Sequence, residues 1–152
     1  MKKNTGFAVL FVTVVMFLFS SCVANDYASE STINIENNSS YDLRLTFLYN
    51  IQLTNHDPDY QQSFDINIEK STTHSFKLFG GLGSTVAPNP NWKFAKVIFS
   101  NLNDETILSD IEICDFDKII NNLFQLIDTK NYKHYQEAIY LLKITDSLLK
   151  SI

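Results

Sequence analysis

Apolar and polar residues alternate along most of the chain beyond residue 32. Successive side chains of a β-strand point to opposite faces, so a period of two predicts strands with one buried face. Strands are predicted where such runs occur, at 33–35, 43–49, 64–68, 74–79 and 138–144, and in two more continuously apolar runs at 92–100 and 106–114. The Asn-Asn-Ser-Ser cluster at 37–40 favours a turn, which predicts that the first two strands form a β-hairpin.

The period changes once, near residue 116. Six apolar residues follow the spacing i, i+3, i+4, i+7, i+8 and i+11, namely Phe116, Ile119, Ile120, Leu123, Phe124 and Ile127. This spacing places them on one face of a helix, which Asp115 or Asp117 would cap. Residues 128–136 are predicted to be a connection, and 147–152 a helical turn or a frayed end.

About seven short strands and one late helix predict a mostly β fold, specifically a two-layer antiparallel β-sandwich. The alternative is an α+β fold in which the helix packs on one antiparallel sheet. The 152 residues fit one such domain.

The N-terminus follows a different pattern. Lys2 and Lys3 precede an apolar run at 7–19, which ends at Ser20-Ser21-Cys22. A basic start, a short apolar core and small residues at the exit are typical of a secretory signal peptide. The apolar run is shorter than the roughly 20 residues that a membrane-spanning helix needs.

The segment Leu18-Phe19-Ser20-Ser21-Cys22 resembles the lipobox of bacterial lipoproteins. The resemblance implies that the chain is cut before Cys22, that the Cys22 thiol carries a diacylglycerol, and that its new amine is acylated. We therefore divide the chain into a signal peptide (1–21), a lipidated tether (22–32) and a β-sandwich domain (33–152). The expected location is the cell envelope, outside the cytoplasm, on the periplasmic or surface face.

The charge of the chain narrows the classes of partner. Twelve Lys and Arg against 17 Asp and Glu give a net charge of −5, and Arg44 is the only arginine. Nucleic-acid binding requires a clustered basic surface, so no nucleic-acid partner is expected.

Candidate metal and catalytic residues are scattered along the chain. His56, His74 and His134 lack the close spacing of a zinc site. Asp57 and Asp59 flank a proline, which predicts a solvated turn, although calcium also favours such oxygen-rich loops. A cleft that joined these five residues would indicate a metal-dependent enzyme.

The stretch 104–117 is acidic and contains no basic residue, with carboxylates at Asp104, Glu105, Asp110, Glu112, Asp115 and Asp117. It is predicted to be a solvated strand face and a helix start; the alternative is binding of a cation or of a basic partner. Cys114 would be the one free thiol beside an acylated Cys22. It is expected to be buried and inert.

Glycine and aromatic residues mark one candidate binding loop. Gly80, Gly81 and Gly83 lack the Lys-Ser/Thr ending and the following helix of a phosphate-binding loop. With Trp92 at its exit, the loop is instead a candidate recognition surface, because loops on rigid sandwiches often carry function.

The predicted function is accordingly a non-catalytic, membrane-anchored lipoprotein without a cofactor, a binding or envelope-associated module. Its expected partners are membrane lipid, through the acylated Cys22, and a protein or glycan. Alternatives are an accessory subunit of an envelope complex and a small metal-dependent enzyme with dispersed residues.

Overall fold

Strands dominate the protein. The computed structural model describes residues 29–50, 63–80, 86–115, 118–132 and 135–150. In these ranges the elements follow one another as β1 (Glu30–Asn37), β2 (Leu43–Tyr49), β3 (Ser63–Ile68), β4 (Thr73–Phe79), α1 (Pro90–Lys93), β5 (Phe94–Asn101), β6 (Ile107–Glu112), β7 (Cys114–Asp115), β8 (Lys118–Ile119), β9 (Gln125–Asn131), β10 (Gln136–Ile144) and α2 (Asp146–Leu149).

Eight of these strands form two four-stranded sheets. Sheet A has the order β4-β1-β10-β9 and sheet B the order β3-β2-β5-β6, while β7 and β8 form a small separate pair. Buried apolar side chains from both sheets form one core cluster. The prediction of a mostly β, sandwich-like fold is therefore confirmed.

Period-two alternation places the core side chains as predicted. In β1, Ile33 and Ile35 are fully buried and alternate with half-buried polar residues. The neighbouring strand β10 buries Tyr140 opposite Ile33 and Leu142 opposite Ile35, so the two strands present one continuous apolar face. A one-residue shift of register would expose this face, which fixes the pairing.

Phenylalanine rings fill the centre of the core. Phe47 on β2 is fully buried, and its ring centroid lies 5.0 Å from that of Phe64, 5.1 Å from that of Phe94 and 6.2 Å from that of Phe124. Aromatic pairs at such distances are worth about 0.5–1.5 kcal/mol beyond the burial of their area. These rings join sheet B to the residue that precedes β9 of sheet A.

Sheet A contains one parallel pair, which departs from the all-antiparallel prediction. β1 runs parallel to β10 in an unbroken register from Glu30 opposite Glu137 to Asn37 opposite Ile144. The first and last strands of the sandwich thus lie side by side in the middle of sheet A, and both begin at the same end of the molecule.

The predicted hairpin between the first two strands is wrong, because β1 belongs to sheet A and β2 to sheet B. The turn at 38–42 carries the chain from one sheet to the other. Asn37, fully buried, supports this crossing: its Nδ2 donates to the carbonyls of Tyr41 (2.9 Å) and Ile68 (3.3 Å), and its Oδ1 accepts from the Ser39 hydroxyl (2.7 Å). Hydrophobic alternation is the same for both pairings, so it does not distinguish them.

The predicted helix over 116–127 is also wrong. Its described residues form β8, an irregular connection at 120–124 and the start of β9, while Phe116 and Asp117 lie outside the described residues. The main-chain N–H groups of Ile120 and Asn121 both donate to the Ile113 carbonyl, which turns the chain back. Asn and β-branched Ile are weak helix formers, and pairing with β10 satisfies the main chain of β9 instead.

Three boundaries differ from the prediction in detail. Trp92, predicted to begin a strand, lies in the single turn of α1. The predicted connection at 128–136 contains most of β9. β1 begins at Glu30, three residues before the predicted domain boundary, and Ser29 and Ser31 are already fully buried. The single turn α2 agrees with the helical turn predicted near the C-terminus.

Candidate functional site

Several chain segments meet where β1 begins, a region that we call the N-terminal end of the sandwich. The main-chain N–H of Gly80 donates to the Ser29 carbonyl (2.7 Å), and the Ser29 hydroxyl donates to the Val86 carbonyl (2.6 Å). The N–H of Ala87 donates to Oε1 of Gln136, the first residue of β10 (3.1 Å). These bonds fix the ends of β1, β4 and β10 against the segment before α1.

The same end carries exposed apolar and aromatic side chains. Phe79 is 67% exposed, Val86 66% and Tyr132 52%. The ring of Tyr132 stacks on that of Tyr135 with centroids 4.5 Å apart and an angle of 4° between the planes. Two of these exposed groups directly adjoin buried residues, Phe79 next to Leu78 and Val86 next to Ala87.

Part of the predicted binding loop lies at this end. Gly80 follows β4 and is half-buried, while Gly81 and Gly83 lie outside the described residues. Trp92 is 37% exposed on α1, directly before β5. The first residue of β5, Phe94, pairs with Tyr49 at the end of β2, and this places α1 at the N-terminal end as well.

A separate open groove of about 460 Å³ follows one side of the sandwich, between the edge strand β6 and the segment that leads into β9. We call it the side groove. It is lined by Asp110, Ile111, Glu112, Asn121, Asn122, Leu123 and Leu148. Its apolar residues are Ile111 of β6, Leu123 of the segment before β9 and Leu148 of α2, and carboxylate and amide side chains surround them.

The side groove contains two carboxylates, Asp110 and Glu112. Asp110 forms an ion pair with Lys96 on the adjacent strand (3.0 Å). The Asn121 Nδ2 donates to the Glu112 main-chain carbonyl (2.7 Å), which holds the residues after β8 against β6. No sequence pattern singles out Asn121 and Asn122, because the predicted helix places both on its polar face.

The acidic stretch is largely explained by local structure. Glu105 pairs with Arg44 (3.2 Å), as Asp110 does with Lys96. The Asp104 carboxylate accepts the main-chain N–H of Thr106 (3.0 Å), and this hydrogen bond holds the pKa of Asp104 below its usual value. The carboxylates from Asp104 to Glu112 therefore lie on the solvated face of β6 and in the turn before it, as predicted. The predicted helix start is wrong, because Asp115 lies in β7, and Asp117 lies outside the described residues.

Cys114 is buried, 4% exposed, at the start of β7. Its sulfur accepts a hydrogen bond from Nδ2 of Asn50 (3.4 Å), a residue that is itself 5% exposed. The expectation of a buried Cys114 is confirmed. Asn50 also donates its main-chain N–H to the carbonyl of Lys93, so this polar cluster supports the chain between β2 and α1.

The candidate metal ligands are not brought together in the part of the chain that the structure describes. His74 lies exposed on the edge strand β4. His56, Asp57, Asp59 and His134 lie outside the described residues, as does Cys22. Among the described side chains, no group of three or more His, Cys, Asp or Glu is arranged to hold a metal ion.

No helix within the described ranges has the length and apolar character needed to cross a bilayer. Comparison of the chain with protein-family models, with curated proteins and with solved structures found no match.

Proposed function

We propose that this protein is a bacterial lipoprotein: a non-catalytic β-sandwich, acylated at Cys22 and held at a membrane of the cell envelope outside the cytoplasm. The observation that carries the proposal is the segment Leu18-Phe19-Ser20-Ser21-Cys22, preceded by a basic start and an apolar run. Acylation by more than one chain makes membrane anchoring stable, since each buried CH₂ contributes about 0.8 kcal/mol.

The position of the first strand supports this division of the chain. Ser29, the first residue that the structure describes, is already fully buried and lies seven positions after Cys22. Cleavage before Cys22 would therefore leave every described strand intact and place a segment of six residues between the acylated cysteine and Ser29. Removal of Lys2 and Lys3 with the signal peptide would make the mature chain more acidic.

The side groove supports a binding role for the anchored domain. Ile111, Leu123 and Leu148 offer apolar contact, and Glu112 and Asn122 offer polar groups to a protein or glycan ligand. No cofactor is included in this proposal. A pull-down from envelope extracts with the acylated protein tests the binding role, with a Leu123→Asp variant as the control; equal capture by both proteins would contradict a role for the groove.

The anchor itself is tested with a Cys22→Ala variant and a matched Cys114→Ala variant, expressed in cells supplied with a labelled fatty acid. Cys22→Ala should lose the label and leave the mature membrane fraction, because the acceptor thiol is gone. Cys114→Ala should keep both properties, because its sulfur is buried in the folded domain. Labelling of the Cys22→Ala protein, or an unlabelled parent protein, would overturn the proposal.

A second candidate function is that of an accessory subunit in an envelope complex. The strand β9 favours it, since it ends sheet A among the described strands and Leu126 is 56% and Ile127 53% exposed on it. Exposed edges of this kind add strands from partner chains. Chemical cross-linking in intact cells, compared between the parent protein and a Leu126→Lys, Ile127→Lys variant, would show a lost partner band if this candidate is correct.

A further inference from the structure

We propose that the N-terminal end of the sandwich rests on the lipid surface, with Phe79, Val86 and Tyr132 in contact with the headgroup region of the bilayer. The inference rests on the proposed acylation of Cys22 and adds an orientation for the domain. The occupant of this apolar surface is thus the membrane that holds the protein.

The short segment between Cys22 and Ser29 limits how far the N-terminal end can lie from an acylated Cys22. Six residues lie between Cys22 and Ser29, so the two residues are at most about 25 Å apart even when the chain between them is fully extended. Ser29 itself is fully buried and hydrogen-bonded to Gly80 and Val86, so the residues from Ser29 onward add nothing to the distance between Cys22 and the domain. The N-terminal end is therefore the part of the sandwich that an acylated Cys22 holds nearest to the lipid.

Strand register places the exposed apolar residues at this end. Phe79 pairs with Glu30, the first residue of β1. Val86 accepts from Ser29, and Tyr132 follows directly on β9, whose last residue pairs with the first residue of β10. The opposite end differs: of the large apolar side chains exposed in the described part, Ile107 on β6 is the one placed there, opposite Ser100 near the end of β5.

The chemistry of these side chains suits an interface between lipid and water. Aromatic rings with one polar atom, such as the stacked Tyr132 and Tyr135, favour the headgroup level, where one edge is wet and the other is apolar. Two nearby lysines are already paired, Lys77 with Glu30 (2.7 Å) and Lys130 with Glu137 (3.7 Å). Contact through these apolar groups accordingly requires no anionic lipid.

The single tryptophan of the chain makes the orientation measurable. In a Trp92→Phe background, one variant carries Phe79→Trp and its matched control carries Ile107→Trp, two positions of similar exposure, 67% and 63%. An eight-residue strand such as β1 spans about 26 Å, so the two positions lie at well-separated heights. Each full chain is expressed in cells, purified in detergent and reconstituted into phosphatidylcholine vesicles that contain a lipid with a nitroxide on its headgroup.

The proposal predicts that the nitroxide quenches the Phe79→Trp protein several-fold more than the Ile107→Trp protein, and that only the former shifts its emission to the blue on reconstitution. Equal quenching of the two acylated variants, or stronger quenching of the Ile107→Trp protein, would overturn the orientation and leave the anchor standing. The mass of each sample separates the two proposals, because variants that carry no lipid would overturn the anchor and the orientation together.

Discussion

The side-chain amide of Asn91 forms two hydrogen bonds with the main chain of Phe124. Its Nδ2 donates to the Phe124 carbonyl (2.7 Å), and its Oδ1 accepts from the Phe124 N–H (2.9 Å). Asn91 lies in α1, directly before β5 of sheet B, whereas Phe124 directly precedes β9 of sheet A. Both residues are buried, so the Asn91 side chain links the chain before β5 of sheet B to the chain before β9 of sheet A inside the protein.

Replacement of this amide should destabilise the fold. An Asn91→Ala variant leaves the buried N–H and carbonyl of Phe124 without a partner, and each such group costs about 1–3 kcal/mol. We expect the free energy of unfolding to fall by about 2–4 kcal/mol, measured from urea denaturation at unchanged m-value. The exposed Asn122→Ala serves as the control and should stay within about 0.5 kcal/mol of the parent. A similar loss in both variants would contradict the role of Asn91.

Truncation of a core ring should be far more costly than truncation of an exposed one, and Phe47 and Phe79 provide the comparison. Truncation by Phe47→Ala removes contacts with the rings of Phe64, Phe76, Phe94 and Phe124 and leaves a cavity. The expected loss is about 3–5 kcal/mol. Phe79→Ala removes the same side chain from an exposed position and should cost about 0.5 kcal/mol or less. Thermal unfolding of the two variants compares them directly, and equal midpoints would refute the assignment of the core.

Asp146 should give the protein an acid-sensitive contact. Its Oδ1 accepts the main-chain N–H of Ser40 (2.8 Å), and this bond lowers the pKa of Asp146 from 3.8. A depressed folded-state pKa means that the carboxylate stabilises the fold above the unfolded value and loses this effect as the pH falls through the folded value. The parent should therefore be more stable than Asp146→Asn at neutral pH, and the difference should shrink below about pH 4. A difference that stays constant or grows on acidification would contradict this.

The reaction of the protein with a thiol reagent tests both the burial of Cys114 and the acylation of Cys22. It is 4% exposed, so its reaction with a thiol reagent requires local opening and should be at least about a hundredfold slower in the folded protein than in urea. After unfolding, the protein extracted from membranes should react at one thiol per chain, because Cys22 is acylated in our proposal. Rapid reaction of the folded protein would contradict the burial of Cys114, and two thiols after unfolding would contradict the acylation.

The sequence predicts the strands well because their signal is local. Alternation in β1, β3, β4 and β10 depends only on which face of each strand is buried, and the structure confirms it. The choice of neighbour is not local. The turn at 37–40 is compatible with a hairpin and with a crossing between sheets, and only the pairing of β1 with β10, more than 100 residues apart, decides between them.

The helix predicted over 116–127 shows where periodicity misleads. Ile119 and Phe124 are apolar for different reasons: Ile119 pairs with Cys114 in a short local hairpin, whereas Phe124 enters the core between the sheets. The two residues fit one helical face in the sequence although they pack in two unrelated places in the structure. The Asn91–Phe124 link and the side groove both depend on this segment, so neither was predictable from the sequence.

Acylation of Cys22 is decided by the intact mass of the protein extracted from membranes. We expect a chain that begins at Cys22 and carries the added mass of a diacylglycerol and an amide-linked acyl chain. Contact of the sandwich with lipid also depends on this modification. A membrane-extracted chain that begins at Met1, or one that begins at Cys22 without added lipid, would contradict the proposal.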